Sequence, residues 1–157
     1  MTAQRIRGVA LIVQNPQGKI LVLQEFKAKP YFGKYCGMFS IPMETSEPNE
    51  PNYFTILRLV REELPGFSFP SKNVLQSHIG IYRIASHVCN LYFVKVADDR
   101  LPDSKNSKSK EVGNYQWMDP EKALDLWLRQ GAWEMINDFI NNKKGVFCRH
   151  CRTPQKR

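Results

Sequence analysis

Apolar positions in the first part of the chain fall in short runs, without helical spacing. Arg5 to Gln14 (RIRGVALIVQ) is rich in β-branched residues and predicts a strand. Asn15-Pro16-Gln17-Gly18 is a turn signal, and Lys19 to Gln24 predicts a second strand, so the chain opens on a hairpin. Past residue 50 the period changes. Tyr53, Ile56, Leu57, Val60 and Leu64 recur at helical spacing and predict a core-facing stripe. Glu62 and Glu63 fall off that stripe, on a flank shared with Thr55 and Leu59. An apolar Leu59 there is not needed by the stripe. Arg58 precedes Glu62 by one helical turn, a spacing at which side chains meet.

Val74 to Ile84 and His87 to Val96 predict two strands around an Ala85-Ser86 turn. Leu101 to Glu111 (LPDSKNSKSKE) reads as a polar, mobile loop, and a strand carrying Trp117 follows it. Asp119 is placed to cap a helix with Pro120 at its first position, running to about Gln130. Gly131 separates it from a last amphipathic helix, Ala132 to Asn142, with Trp133, Ile136, Phe139 and Ile140 as core positions. Strands mixed with helices predict an α/β/α sandwich around a mixed sheet.

The chemistry concentrates between Pro42 and Gly66. A turn-rich loop carries Glu44, Glu47 and Glu50, and the helix after it carries Glu62 and Glu63. Carboxylates converging from a loop and one helix suit a hard cation, which takes oxygen ligands and shares them with substrate phosphates. Upstream, the segment from Lys27 to Tyr35 mixes Lys27, Lys29 and Lys34 with Tyr31, Phe32 and Tyr35. Such lysines suit phosphates and such rings suit stacking on a base; solvated lysines and rings that cap the sheet would produce the same pattern.

A length of 157 residues at 42% hydrophobic fits one domain. No apolar run is long enough to span a membrane, and MTAQRIRG has no apolar export segment, so the expected compartment is the cytoplasm. The net charge of +8 is unevenly placed: residues 143–157 hold six Lys and Arg and no acid, leaving +2 on residues 1–142. The expected organisation is a domain over 1–142 followed by a basic tail over 143–157. Such a tail can bind nucleic acid through phosphates, but no nucleic-acid-binding motif accompanies it, and a solvated terminus is the preferred reading. Cys148-Arg149-His150-Cys151 has the spacing of half a zinc knuckle. Structural zinc needs four ligands and no second pair is near, so the preferred reading is a flexible tail with reduced thiols.

The stretch from Pro42 to Gly66 resembles the box of the Nudix hydrolases, including its MutT-like members. With Glu50 set on the first box glutamate, Arg58 falls on the arginine, Val60 on the aliphatic and Glu62-Glu63 on the glutamate pair; Pro42 and Glu47 match the approach to the box. The departures are Met43 and Glu44 at two glycine positions, Leu59 in place of a glutamate, and Pro65 where the closing glycine belongs. The resemblance implies a degenerate box on a Nudix-type α/β/α fold. It implies hydrolysis of a diphosphate in a small molecule such as a nucleoside-diphosphate derivative, with magnesium, or manganese in its place, as cofactor. Carried over by position, Glu62, Glu63 and Glu111 are metal and catalytic residues, and the Met43 carbonyl reaches the metal. Arg58 orients the cluster through Glu62. Glu44 is a candidate replacement for the carboxylate lost at Leu59. The alternative is a Nudix-fold module that binds a ligand or partner without turnover. Leu59 and the missing glycines point that way, while Arg58, Glu62, Glu63 and Glu111 point to the hydrolase. A homodimer is compatible with either.

Overall fold

Along β1 (Ile6–Gln14) successive side chains go to opposite faces of the sheet. Val9, Leu11 and Val13 enter one apolar cluster, and Ala10 and Ile12 enter the other. All five are fully buried, as a strand covered on both faces requires. β1 pairs in parallel with β6 (His87–Lys95) along its whole length. β2 (Ile20–Glu25) keeps only the pair Gln14–Ile20 with β1. It then diverges to pair with β3 (Phe39–Ser40) and β7 (Val112–Met118). β4 (Met43–Thr45) takes the vacated place beside β1, antiparallel to Gly8–Ala10. β5 (His78–Ile84) pairs with β6, and β8 (Cys148–His150) adds in parallel to β5. The predicted hairpin is thus reduced to its root. The molecule is a computed structural model in which residues 5–103, 111–144 and 148–152 are described.

Helix α1 (Asn52–Glu63) covers the Val9-Leu11-Val13 face, and α3 (Ala132–Ile140) covers the other. This is the expected α/β/α sandwich on a mixed sheet. The buried arc of α1 differs from the stripe read in the sequence. It runs through Thr55, Ile56, Leu59, Val60, Glu63 and Leu64, while Tyr53 and Leu57 are only half-buried. Leu59, read as off the core, is 0% exposed and packs with Ile56 and Val60. The arc is turned toward Thr55 and Glu63, two polar residues that an apolar count leaves out.

Other expectations are corrected. The strand expected from Val74 begins at His78, because Lys72–Ser77 forms a 3-10 helix capped by Ser71, whose Oγ accepts from the Asn73 amide. The helix expected to Gln130 ends at Ala123 (α2, Pro120–Ala123), and Asp119 makes no side-chain cap bond. Beyond it the backbone extends beside Phe39: the Phe39 amide donates to the Trp127 carbonyl at 2.8 Å, and the Arg129 amide to the Phe39 carbonyl at 2.9 Å. Two bonds to the sheet edge replace helical ones and fix the direction of Arg129. Trp133, expected in the core, is 41% exposed, while Ile136 is buried and Phe139 and Ile140 are half-buried.

Part of the expected basic tail is β8. Asp138 of α3, fully buried, accepts from the Tyr82 hydroxyl at 2.9 Å and from Arg149 Nη1 at 2.8 Å. That clamp ties β8 to α3 and β5. His150 is exposed, Cys151 is half-buried, and the Cys148 side chain lies outside what is described, as do residues 104–110 of the predicted loop and 153–157. Among the described residues no helix is long and apolar enough to cross a membrane.

Asp138→Ala would remove the acceptor of the Tyr82 hydroxyl bond and release Arg149. The expected loss is about 2–4 kcal/mol of stability, read from the urea midpoint. An unchanged midpoint would show that the clamp contributes nothing.

Candidate active site

A cavity of about 240 Å³ opens where the starts of β1 and β6 meet β4, the end of α1 and the segment around Lys29–Lys34. Gly8 makes this meeting possible. A Cβ on it would come within 2.9 Å of the Glu44 carbonyl oxygen, so any side chain there would push β4 away. With glycine, β4 lies close on β1, and Met43 and Glu44 line the cavity together with Glu62 and Glu63 from the last turn of α1.

One end of the cavity is acidic. Glu62 and Glu63 line it from α1, and Glu44 from β4. The Tyr115 hydroxyl donates to the Glu63 carbonyl and pins the end of α1 to β7. The Glu63 carboxyl is buried. Burial first, then the charges of Glu44 and Glu25, push its pKa well above the usual carboxylate range, and Lys34 and Arg129 only partly oppose this. Burial also raises Glu44, against the Arg58 guanidinium and with the help of Glu62.

Arg58, expected from the sequence to orient Glu62, feels the Glu62 charge and is bonded to the β4 segment and its loop as well. Its Nη2 bonds Glu50 Oε1 at 2.8 Å and donates to the Thr45 carbonyl at 2.6 Å, while its Nη1 pairs with Glu44 at 3.1 Å. The hydrogen bond from Arg58 is the main reason that the Glu50 carboxyl sits at about 2. Glu50 also accepts from Thr55 Oγ1 at 2.6 Å. Arg58 and Glu50 therefore clamp the β4 loop to α1, and through that clamp Arg58 sets the position of Glu44.

Cations line the same cavity. Lys29 Nζ reaches both Glu111 oxygens at 3.1 Å, and Lys34 Nζ lies 3.7 Å from Glu111 and 3.1 Å from Glu25. Burial would raise the Glu111 carboxyl, but the hydrogen bond and charge of Lys29, with Lys34 and Lys27, lower it. Arg129 Nη1 completes the group at 3.1 Å from Glu25. Of the residues expected to bind substrate, Lys29, Phe32 and Lys34 line the cavity. Lys27, Tyr31 and Tyr35 are exposed and do not line it.

Sequence reading missed Glu25, His87, Cys89 and Arg129. Glu25 had a signal: an acid closing an apolar strand, at a position that proves to be buried. Arg129 was hidden inside the overextended helix. His87 and Cys89 lay in a plausible strand with nothing to mark them, and burial pushes the Cys89 thiol up to about 12.

The donors at the acidic end suit a hard divalent cation: carboxylate oxygens held close enough to raise one another's pKa. Among the described residues no three His, Cys, Asp or Glu side chains are grouped as a ready metal site. Glu44 is engaged by Arg58 and Glu111 by the two lysines.

The NUDIX domain profile matches residues 4–139, and the chain belongs to that family. Solved structures share the fold. A NUDIX hydrolase from Nitrosomonas europaea has a TM-score of 0.67 at 18% identity, over 90% of this chain and 92% of its own. The NUDIX domain of Shewanella oneidensis NrtR, complexed with ADP ribose, has a TM-score of 0.61 at 12% identity, over 90% of each chain. A C. elegans Ap4A hydrolase in a binary complex has a TM-score of 0.61 at 16% identity, over 87% of this chain and 96% of its own. A search of curated proteins gave no significant match in sequence.

The raised pKa of Glu63 has a sign that can be tested. Its native pKa lies above the unfolded value of roughly 4.3, so between the two the folded protein binds the extra proton. Stability then falls as pH rises through that window. In a chelating buffer, Glu63→Gln should raise the melting temperature at pH 7 and flatten its decline between pH 5 and 7. The same decline in both proteins would contradict the buried-acid account.

Proposed function

We propose that the protein is a magnesium-dependent hydrolase of a diphosphate linkage in a small molecule, with manganese able to replace magnesium. The observation that carries this reading is the gathering of both charges in one cavity. Glu44, Glu62 and Glu63 line it together with Lys29, Lys34 and Glu111. A diphosphate bound with its cation needs both sets: carboxylates for the metal and ammonium groups for the remaining phosphate charge.

Glu62 and Glu63 would hold the cation, together with Glu44 and the Met43 carbonyl. Bound there, the cation would neutralise phosphate charge and lower the pKa of an attacking water. Glu44 supplies the carboxylate that Leu59 does not, since Leu59 is committed to the core. Lys29 is half-exposed on its pair with Glu111, so phosphate oxygens can compete for it. Glu111, with Lys34 still beside it, would then be placed to meet the metal or the water. Arg58 acts by position, keeping Glu44 at the cavity while Glu50 holds the loop.

A second reading, ligand binding without turnover, is favoured by the buried Leu59 and by the lack of a ready three-ligand group among the described residues. The structural neighbours include a domain complexed with ADP ribose and an Ap4A hydrolase, and these supply the compounds for a first panel.

The test is phosphate or nucleotide release from diphosphate compounds, ADP-ribose and diadenosine tetraphosphate among them, with and without magnesium. The expected result is magnesium-dependent release that falls by about 100-fold or more in Glu63→Gln. Compounds that raise the melting temperature but are never cleaved would favour the binding module.

A further inference from the structure

Residues 29–34, which carry the two cavity lysines, form a small closed unit. The Lys29 amide donates to the Lys34 carbonyl at 2.9 Å and the Lys34 amide returns a bond to the Lys29 carbonyl at 3.4 Å, around a 3-10 turn at Pro30–Phe32. None of the three turn residues is buried. A segment with so little apolar burial opens locally at low cost, so its bonds to the body decide how firmly it is held. Besides the ion pairs of the two lysines, these come from residues 129 and 130 and from the Tyr31 hydroxyl, 2.7 Å from Ser86 Oγ. Arg129 Nη2 donates to the Phe32 carbonyl at 3.2 Å, and the Gln130 amide to the Gly33 carbonyl at 3.0 Å. Gly33 is left-handed at φ 68°, and a Cβ on it would come within 2.6 Å of the Gln130 Cβ and Oε1. The Gln130 side chain thus rests on the Gly33 backbone. Its Nε2 meanwhile donates to the Cys151 carbonyl at 3.1 Å, just past the end of β8. β8 in turn is fixed to the core. It pairs with β5 over Ile81–Arg83, the Cys151 amide donates to the Arg83 carbonyl at 2.9 Å, and Arg149 meets the fully buried Asp138 at 2.8 Å.

We infer that β8 braces the lysine-bearing segment through Gln130, so that the docking of this strand sets how firmly Lys29 and Lys34 are presented to a bound phosphate. The inference rests on the reading of the cavity as a diphosphate site and names what governs it. Gln130 does not line the cavity. It is a positioning residue that acts through Gly33, and the coupling runs both ways: whatever steadies the lysines also steadies β8.

The test uses the full chain and Gln130→Met, which keeps the side-chain length and the contact with Gly33 but loses the donor to Cys151. Amide hydrogen exchange is followed over residues 29–34 and 148–151. Binding of methylenediphosphonate with magnesium, a diphosphate analogue whose bridge cannot be hydrolysed, is measured by calorimetry. Gln130→Met should speed exchange over residues 29–34 and weaken the diphosphonate, each by about three- to tenfold, the range that one hydrogen bond gives. Exchange over Val9–Val13 and affinity for magnesium alone should not change. Gln130→Lys, which can still donate to the Cys151 carbonyl, should return the exchange toward wild type. Saturating diphosphonate should slow exchange over residues 148–151 in wild type and not in Gln130→Met. Unchanged exchange over residues 29–34 in Gln130→Met would overturn the inference, as would an equal loss of affinity for magnesium alone. Diphosphonate bound equally well by both proteins would also overturn it and leave the diphosphate reading standing. Faster exchange in Gln130→Met, with no diphosphonate bound by either protein, would sink the diphosphate reading and leave the brace.

Discussion

The burial of the Glu63 carboxyl among other acids is the constraint around which this structure is arranged. The last turn of α1 has its place because Leu59, Val60 and Leu64 pack on the sheet, and the same packing turns Glu63 inward. Glu44 and Glu25 add their charges nearby. A buried carboxylate with acids as neighbours is costly unless it is protonated or matched by a cation. Lys34 and Arg129 are the nearest remedies, yet both are engaged by Glu25 at 3.1 Å. The site is left short of positive charge at one end, and a divalent ion would relieve that shortage.

The surrounding architecture serves this placement. Gly8 lets β4 come close enough to set Glu44 at the cavity that Glu62 and Glu63 line. Arg58 and Glu50 then lock β4 to the helix. The divergence of β2 from β1 makes room for β4. The extended backbone at Trp127–Arg129, bonded to Phe39, brings a guanidinium to Glu25 from a distant part of the chain.

Much of this was legible in the sequence because it depends on local pattern. The strands at β1, β2 and β6, the helix after the acidic loop and the sandwich architecture follow from apolar spacing. The box carried the family resemblance, since Arg58, Glu62 and Glu63 stand at fixed spacing on one helix. What the sequence concealed depends on long-range contact. The buried arc of α1 includes Thr55 and Glu63, so a wheel drawn from apolar residues alone placed Leu59 outside the core. The helix drawn through Leu124–Gln130 was broken by two backbone bonds to Phe39, which no local signal announces. Helical spacing brings Arg58 to Glu62, but nothing local announces that Glu44 and Glu50 fold back and bond it as well. β8 depends on the pairing of Arg149 with Asp138, eleven residues before it in sequence.

The central claim is that these crowded carboxylates form a site that demands a hard cation. Magnesium titrated calorimetrically into metal-free protein, in buffers of different ionisation enthalpy, tests it most directly. The account predicts saturable binding with release of protons, as the raised carboxyl of Glu63 gives up its proton to the incoming ion. Absence of binding, or binding with no proton release anywhere between pH 5 and 8, would contradict it.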